Sequence, residues 1–283
     1  PASYPVVPGY SQASFYRAAR QVGGDFYDFI ELAAAPTTES RRTGAPEQAR
    51  PKGVPALTRR DLELEFWRTG KGAPRMAPKQ PMRSSQMSGE LGRLGIVIAD
   101  VTDKGVPAAL FMALSRTLIR ATASDGRPPA AVFEQANRLI LDDARSGLFV
   151  TCFYGILDAT NNTFVYANGG HNYPLHYQSA TDQVESLQAQ GIVLGIVPEP
   201  HFEQRAVTIA PGDVVCFYTD GITEAMDSRR QLFDEERLIE VLRRSHNLPP
   251  EQIIERIIEA VTNFSAGAPQ TDDMTLVVLK RET

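Results

Sequence analysis

Cysteine is nearly absent, histidine is scarce, and no apolar run approaches the ~20 residues that span a bilayer. The 283 residues hold 2 Cys and 4 His, with none of the close spacings of a disulfide framework or a zinc site. Cys152 and Cys216 each sit inside an apolar run, so both read as buried free thiols of a reducing compartment, packed as small hydrophobes. Phe153, Tyr154 and Gly155 follow Cys152 with no arginine nearby to hold a phosphate, which argues against a cysteine nucleophile. A basic excess is also missing: 29 Lys+Arg against 34 Asp+Glu leave a net charge of -5, so the electrostatic footprint of a nucleic-acid binder is lacking. Pro1 to Gly9 shows no charged stretch followed by an apolar one, so no secretory leader is read there. The Pro-rich opening suggests a fragment of a longer cytoplasmic protein, with an upstream sensor or membrane-tethering region and no membrane contact of its own.

What is present is the composition of a globular chain, 42% hydrophobic and 22% charged. Aromatic-rich segments at Gln12–Ala18 and Asp25–Leu32 read as strands parted by Gly23-Gly24. Composition then changes over residues 33–90, which carry seven Pro, five Gly and eleven Lys/Arg against six Asp/Glu, a net 11 − 6 = +5. Little apolar periodicity survives there outside Leu62–Trp67, and the stretch is expected to be a disordered basic insertion within a single domain. Leu94–Val101 is a continuous apolar run, the pattern of a buried strand. Helices are expected over Gly105–Ala123 and from Pro128-Pro129 to about Ala144. Strands at Phe149–Leu157, Thr163–Asn168, Pro174–Gln178, Gln183–Leu187, Phe202–Ile209 and Asp213–Thr219 then follow one another as in an antiparallel meander. Helices over Asp234–Arg244 and Pro250–Phe264 precede a last strand, Met274–Lys280. Runs of strands and pairs of helices make this an α+β chain, with antiparallel sheets covered by helices.

Four acidic residues stand where apolar strands end: Asp25, Asp100, Asp220 and Asp272. Aspartate is poorly suited to strand interiors, and one alone at a strand end is ordinarily a turn or cap residue. As a set they are informative, because converging carboxylates without compensation repel and take up protons, which implies a bound hard cation. Oxygen ligands without His or Cys favour Mg2+ or Mn2+ over zinc or copper.

The segments Val22-Gly23-Gly24-Asp25-Phe26-Tyr27-Asp28, Ile98-Ala99-Asp100-Val101-Thr102-Asp103-Lys104-Gly105 through Leu110, Tyr166-Ala167-Asn168-Gly169-Gly170-His171-Asn172, Tyr218-Thr219-Asp220-Gly221 through Ala225, and Asp272-Asp273-Met274-Thr275 resemble, in order, the motifs of the SpoIIE/RsbU branch of the metal-dependent type 2C (PPM) serine/threonine protein phosphatases. The resemblance runs from about Pro8 to Lys280, the insertion excepted. It implies two packed antiparallel β-sheets flanked by helices, an α-β-β-α sandwich. It also implies that Asp25, Asp100, Asp220 and Asp272 are catalytic metal ligands for two divalent cations, Mn2+ or Mg2+, with Asp100 bridging. A glycine that lends its carbonyl in many such enzymes is here Val101, whose backbone would serve. The Gly-His of the bacterial Asp-Val-Ser-Gly-His-Gly pattern is replaced by Asp103-Lys104, so no imidazole is available at that point.

The chemistry implied is direct hydrolysis of phosphoserine or phosphothreonine on a partner protein, with an anti-anti-sigma-like domain as the substrate suggested by the resemblance. Arg20, five positions before Asp25, is a candidate phosphate clamp or a surface ion-pair partner. His171, in a Gly-rich turn, is a candidate general acid or, more ordinarily, a turn-stabilising residue. Asp28 is a candidate outer-sphere ligand, although its odd spacing from Asp25 sends the two side chains to opposite strand faces. His176, His201 and His246 have no chemical context. The helix after Asp100 is a candidate switch of metal occupancy, and a catalytically silent or partner-gated signalling module of the same fold is the alternative to an enzyme.

Overall fold

Alternating apolar positions lay down ten strands among the described residues of a computed structural model, which are 4–32, 92–143 and 147–283. The insertion expected at residues 33–90 lies outside them, and the described residues belong to one compact unit. Strands β1 (Tyr10–Arg17), β10 (Met274–Arg281), β9 (Val214–Tyr218), β6 (Leu175–Gln178) and β7 (Gln183–Ser186) form one antiparallel sheet in the order β1-β10-β9-β6-β7. The second sheet runs β2-β3-β4-β5-β8, from β2 (Phe26–Leu32), β3 (Arg93–Val101), β4 (Val150–Asp158), β5 (Thr163–Gly169) and β8 (Gln204–Thr208).

The period of two sorts each strand's side chains between two cores. Leu94, Ile96 and Ile98 of β3 join Phe153, Phe164, Phe217 and Val277 in the core between the sheets. There Phe153 stacks on Tyr166 with centroids 5.4 Å apart and meets Phe217 edge-on at 5.9 Å, the geometries aromatic quadrupoles favour. The intervening Val97, Ala99 and Val101 face outward against α1 (Val106–Ala123) and α2 (Pro129–Asp143). A strand buried on both faces is continuously apolar, which is why β3 reads as an unbroken run. On the far side, α4 (Asp234–Ser245) and α5 (Pro250–Ser265) cover Val214, Cys216 and Tyr218 of β9 with Leu238, Leu242, Ile253 and Ile257. The layers are therefore helices, sheet, sheet, helices, and the expected α+β sandwich is what the chain forms. Cys152 and Cys216 are free and buried, and burial raises both thiols, Cys216 to about 12.

The strands from 149 to 219 are not the meander their spacing suggested. β4 pairs with β5, but the chain then leaves that sheet to form β6 and β7, returns to lay β8 beside β5, and crosses again to insert β9 between β10 and β6. Gly169-Gly170, with Gly170 at φ 72°, makes the first of these crossings. A left-handed backbone there frees the chain from the pleat of β5. The short helix α3 (Asp220–Thr223) was also not anticipated, because four residues carry no periodicity.

Candidate functional site

Strand parity carries the acidic residues to the mouth of the inter-sheet core. Asp100 continues the alternation of Leu94, Ile96 and Ile98, and Asp25 shares the parity of Phe29, which faces the same core. The register of β2 against β3 pairs Phe26 with Ala99, so one further step sets Asp25 opposite Asp100. On the other sheet, Val215 and Phe217 point inward from β9 and Val277 and Leu279 from β10, and the same parity brings Thr219 and Thr275 to this end. Two glycines permit the close approach. A Cβ on Gly24 would stand 2.8 Å from the Val101 carbonyl oxygen, and one on Gly221 would stand 1.9 Å from that of Asp273.

Asp25 is 3% exposed, and its Oδ2 accepts hydrogen bonds from the hydroxyls of Thr219 and Thr275, each at 2.7 Å. Burial, then the charge of Asp100, pushes its carboxyl well above the usual range, while the two threonines pull the other way. Asp100 is pushed to about 7, by burial first and by the charges of Asp220, Asp272 and Asp273; a hydrogen bond from Asp25 opposes this. Asp220, at the first turn of α3, rises to about 6 through burial and the charges of Asp272 and Glu224, with Lys104 lowering it. Its Oδ1 is buried without a hydrogen-bond partner among the described residues, an arrangement that normally calls for an explanation such as an ion. Asp272 Oδ1 lies 2.9 Å from Lys104 Nζ and accepts the Asp273 N–H at 2.9 Å.

The four aspartates thus converge electrostatically, yet among the described residues no three His, Cys, Asp or Glu side chains stand in coordinating geometry. The Lys104 ammonium holds Asp272 at 2.9 Å. The donor set still suits a hard divalent cation: it is all oxygen, it includes an unpartnered buried atom, and its carboxyls raise one another's affinity for positive charge. A cleft of about 70 Å³ opens here, lined by Asp100, Val101, Asp272 and Asp273, with Arg20 and Lys104 as the cationic side chains of its lining. Larger hollows lie elsewhere, among them one of about 440 Å³ between α4 and α5. Of the four acids, Asp100 and Asp272 line the small cleft.

Other residues singled out in the sequence fall differently. Arg20 does reach the cleft. Asp28 does not: it faces α1, where Arg120 Nη1 donates to it at 2.8 Å and Arg116 Nη2 at 3.3 Å. The outer-sphere reading is corrected here, since the three-residue step from Asp25 turns Asp28 to the helix-covered face. His171 is a buried structural residue: its Nδ1 lies 2.9 Å from the Thr151 hydroxyl, Asn168 bonds its backbone twice, and burial lowers its pKa to about 4. His176 is likewise internal, 2.9 Å from Asp213. Sequence reasoning missed Asp273, whose carboxylate accepts the N–H groups of Ala19 and Gly24 at 2.8 and 2.7 Å and so ties down the loop before Asp25. It also missed the roles of Thr219 and Thr275, whose one signal is that each lies beside an aspartate motif on the inward parity.

Comparison with known proteins follows the same lines. The family model described as Stage II sporulation protein E (SpoIIE) matches residues 90–282. Among curated proteins, the chain is 31% identical over 215 residues to Protein IcfG of Synechocystis sp., covering 66% of this chain and 34% of that protein. It is 29% identical over 191 residues to the phosphoserine phosphatase RsbU of Bacillus subtilis, covering 67% of this chain and 56% of that one. The chain therefore spans about a third to just over half of these relatives. Among solved structures, the SiaA-PP2C domain of Pseudomonas aeruginosa superposes with a TM-score of 0.66 at 18% identity, covering 95% of this chain and 84% of that chain. The acid-bearing strand ends lie within a match of this extent, apart from Asp25, and the sandwich that carries them is shared with a PP2C domain; the chain belongs to the SpoIIE family and has the PP2C fold.

Proposed function

We propose that this chain is a metal-dependent phosphoprotein phosphatase that hydrolyses phosphoserine or phosphothreonine on a partner protein. The observations that carry the reading are the cleft that Asp100 and Asp272 line with two cationic side chains and the buried, unpartnered Oδ1 of Asp220, whose charge reaches Asp100. Asp25, Asp100, Asp220 and Asp272, with the Val101 carbonyl, would hold two divalent cations, Mn2+ or Mg2+. When bound, such a pair lowers the pKa of a water and offsets the phosphate's charge.

The chain's own residues supply the positioning. Thr219 and Thr275 fix the carboxylate of Asp25, Asp273 fixes the loop in front of it, and Arg20 offers a guanidinium to the phosphate oxygens. Neither thiol is placed for covalent work, since both are buried and raised, which supports direct attack by water. His171 stays neutral and inside, so it orients Thr151, which in turn donates to the Asp100 carbonyl at 3.3 Å.

The relatives support this substrate class: one bears the name phosphoserine phosphatase, and an anti-anti-sigma-like domain is the partner this branch suggests. A cytoplasmic setting and an upstream regulatory region belong to the same proposal; no helix of the described residues is long and apolar enough to cross a membrane. The decisive experiment is hydrolysis of an aryl phosphate with Mn2+, with Mg2+ and with chelator, for the wild type, Asp100→Asn and Asp220→Asn. Cation-dependent turnover lost in both variants is expected. Turnover that survives both substitutions, or survives chelation, refutes the reading.

A further inference from the structure

Lys104 stands with Asp103 where the bacterial pattern has Gly-His, and its side chain has a defined place. The β3–α1 loop turns sharply: Asp103 adopts φ 74°, its Oδ1 accepts the Lys104 N–H at 2.8 Å, and Gly105 follows at φ 101°. A left-handed residue followed by a positive-φ glycine reverses the chain. The lysine returns over the cleft, where Nζ donates to the Thr271 carbonyl at 2.8 Å and meets Asp272 Oδ1 at 2.9 Å. The lysine is thus a cation tethered to the same carboxylate that the proposed function assigns to a divalent ion.

We propose that Lys104 is an intramolecular counter-ion that competes with a divalent cation for Asp272, and so sets how readily the Asp272 side of the site fills. The inference rests on the metal-dependent reading above. The side chains of the pair are 34% and 30% exposed, so the tie is weak and can be exchanged. A divalent ion brings twice the charge to the same oxygen. Filling Asp272 then requires the ammonium to leave, which loosens the loop that leads directly into α1. Cations held by Asp25 and Asp100 alone do not meet this competitor.

The test is a calorimetric titration of the metal-free protein with Mn2+, comparing wild type, Lys104→Met, Lys104→Arg and Lys104→Met with Asp272→Asn. Methionine keeps the length and apolar body of the side chain without its charge. The weaker Mn2+ step is expected to tighten about tenfold in Lys104→Met, to stay near wild type in Lys104→Arg, and to lose the gain once Asp272→Asn is added. The tighter step should move little in Lys104→Met. Mn2+ binding to the wild type with an unchanged or weaker second step in Lys104→Met overturns the proposal and leaves the metal reading standing. Failure of every folded variant, wild type included, to bind Mn2+ overturns both.

Discussion

The carboxylate of Asp25 depends on two hydroxyls, and each can be removed without changing shape. Thr219→Val or Thr275→Val leaves one donor to Oδ2, so a proton competes better with the cation. The half-saturating Mn2+ concentration should rise by about tenfold, the scale on which residues supporting a metal ligand act, and the increase should be larger at pH 6 than at pH 8. Equal affinities in variant and wild type would refute a supporting role. Asp273→Ala strips the acceptor from the N–H groups of Ala19 and Gly24. With the buried Gly24 donor and the half-buried Ala19 donor left unpaired, it should cost about 1 to 3 kcal/mol in denaturant unfolding. The site's own titration has a definite sign. Asp100 binds its proton up to about pH 7 in the folded chain, against 3.8 for the ordinary carboxyl, so the folded state holds more protons and this contribution is lost as pH rises from about 4 to about 7. Buried His171, lowered to about 4, acts oppositely below about 6.5. The comparison that isolates the acid is metal-free wild type against metal-free Asp100→Asn, and the wild type's melting midpoint should fall relative to the variant across that window.

Elements meet at this site through close backbone contacts and one cross-layer clamp. Gly221 opens α3 where a Cβ would stand 1.9 Å from the Asp273 carbonyl oxygen. Backbone cannot yield as a flexible side chain would, so Gly221→Ala should force α3 and the start of β10 apart, destabilise the fold by at least about 2 kcal/mol, and weaken Mn2+ binding. A variant that melts like wild type would show the contact to be soft. The clamp joins α1 to β2: Arg116 and Arg120 hold the buried Asp28, and Arg120 also donates to the Phe29 carbonyl. Both arginines are about half exposed, so each alone is worth little. The β3–α1 loop begins just past Asp100, after Val101, and α1 is pinned to β2 by Asp28 on the helix-covered face.

At the scale of the whole molecule, the four layers make the site an edge feature of a large aromatic core, and the described strands and helices should suffice to build it. Leu32 at the end of β2 pairs with Arg93 at the start of β3, so the two strands form a hairpin whose ends already adjoin. Deleting Ala35 to Ser88 leaves enough residues to close that hairpin. The shortened protein should keep its Mn2+-dependent turnover of a small aryl phosphate and melt near the full chain. Loss of both would show that the segment contributes to the folded body.

Alternation, composition and the order of motifs were legible without coordinates. The double-sided burial of β3, the parity that opposes Asp28 to Asp25 and the all-oxygen ligand set follow from side-chain period and chemistry alone. Strand order was not legible, because register between segments 194 and 250 residues apart, as Asp25 is from Thr219 and Thr275, leaves no mark on local pattern. The register of β2 on β3 sets Asp25 against Asp100 within one sheet, and only the crossing of the chain between the two sheets brings Asp220 and Asp272 within reach of their charges. The destination of Lys104 was decided the same way, since a left-handed turn chooses its direction from the packing around it.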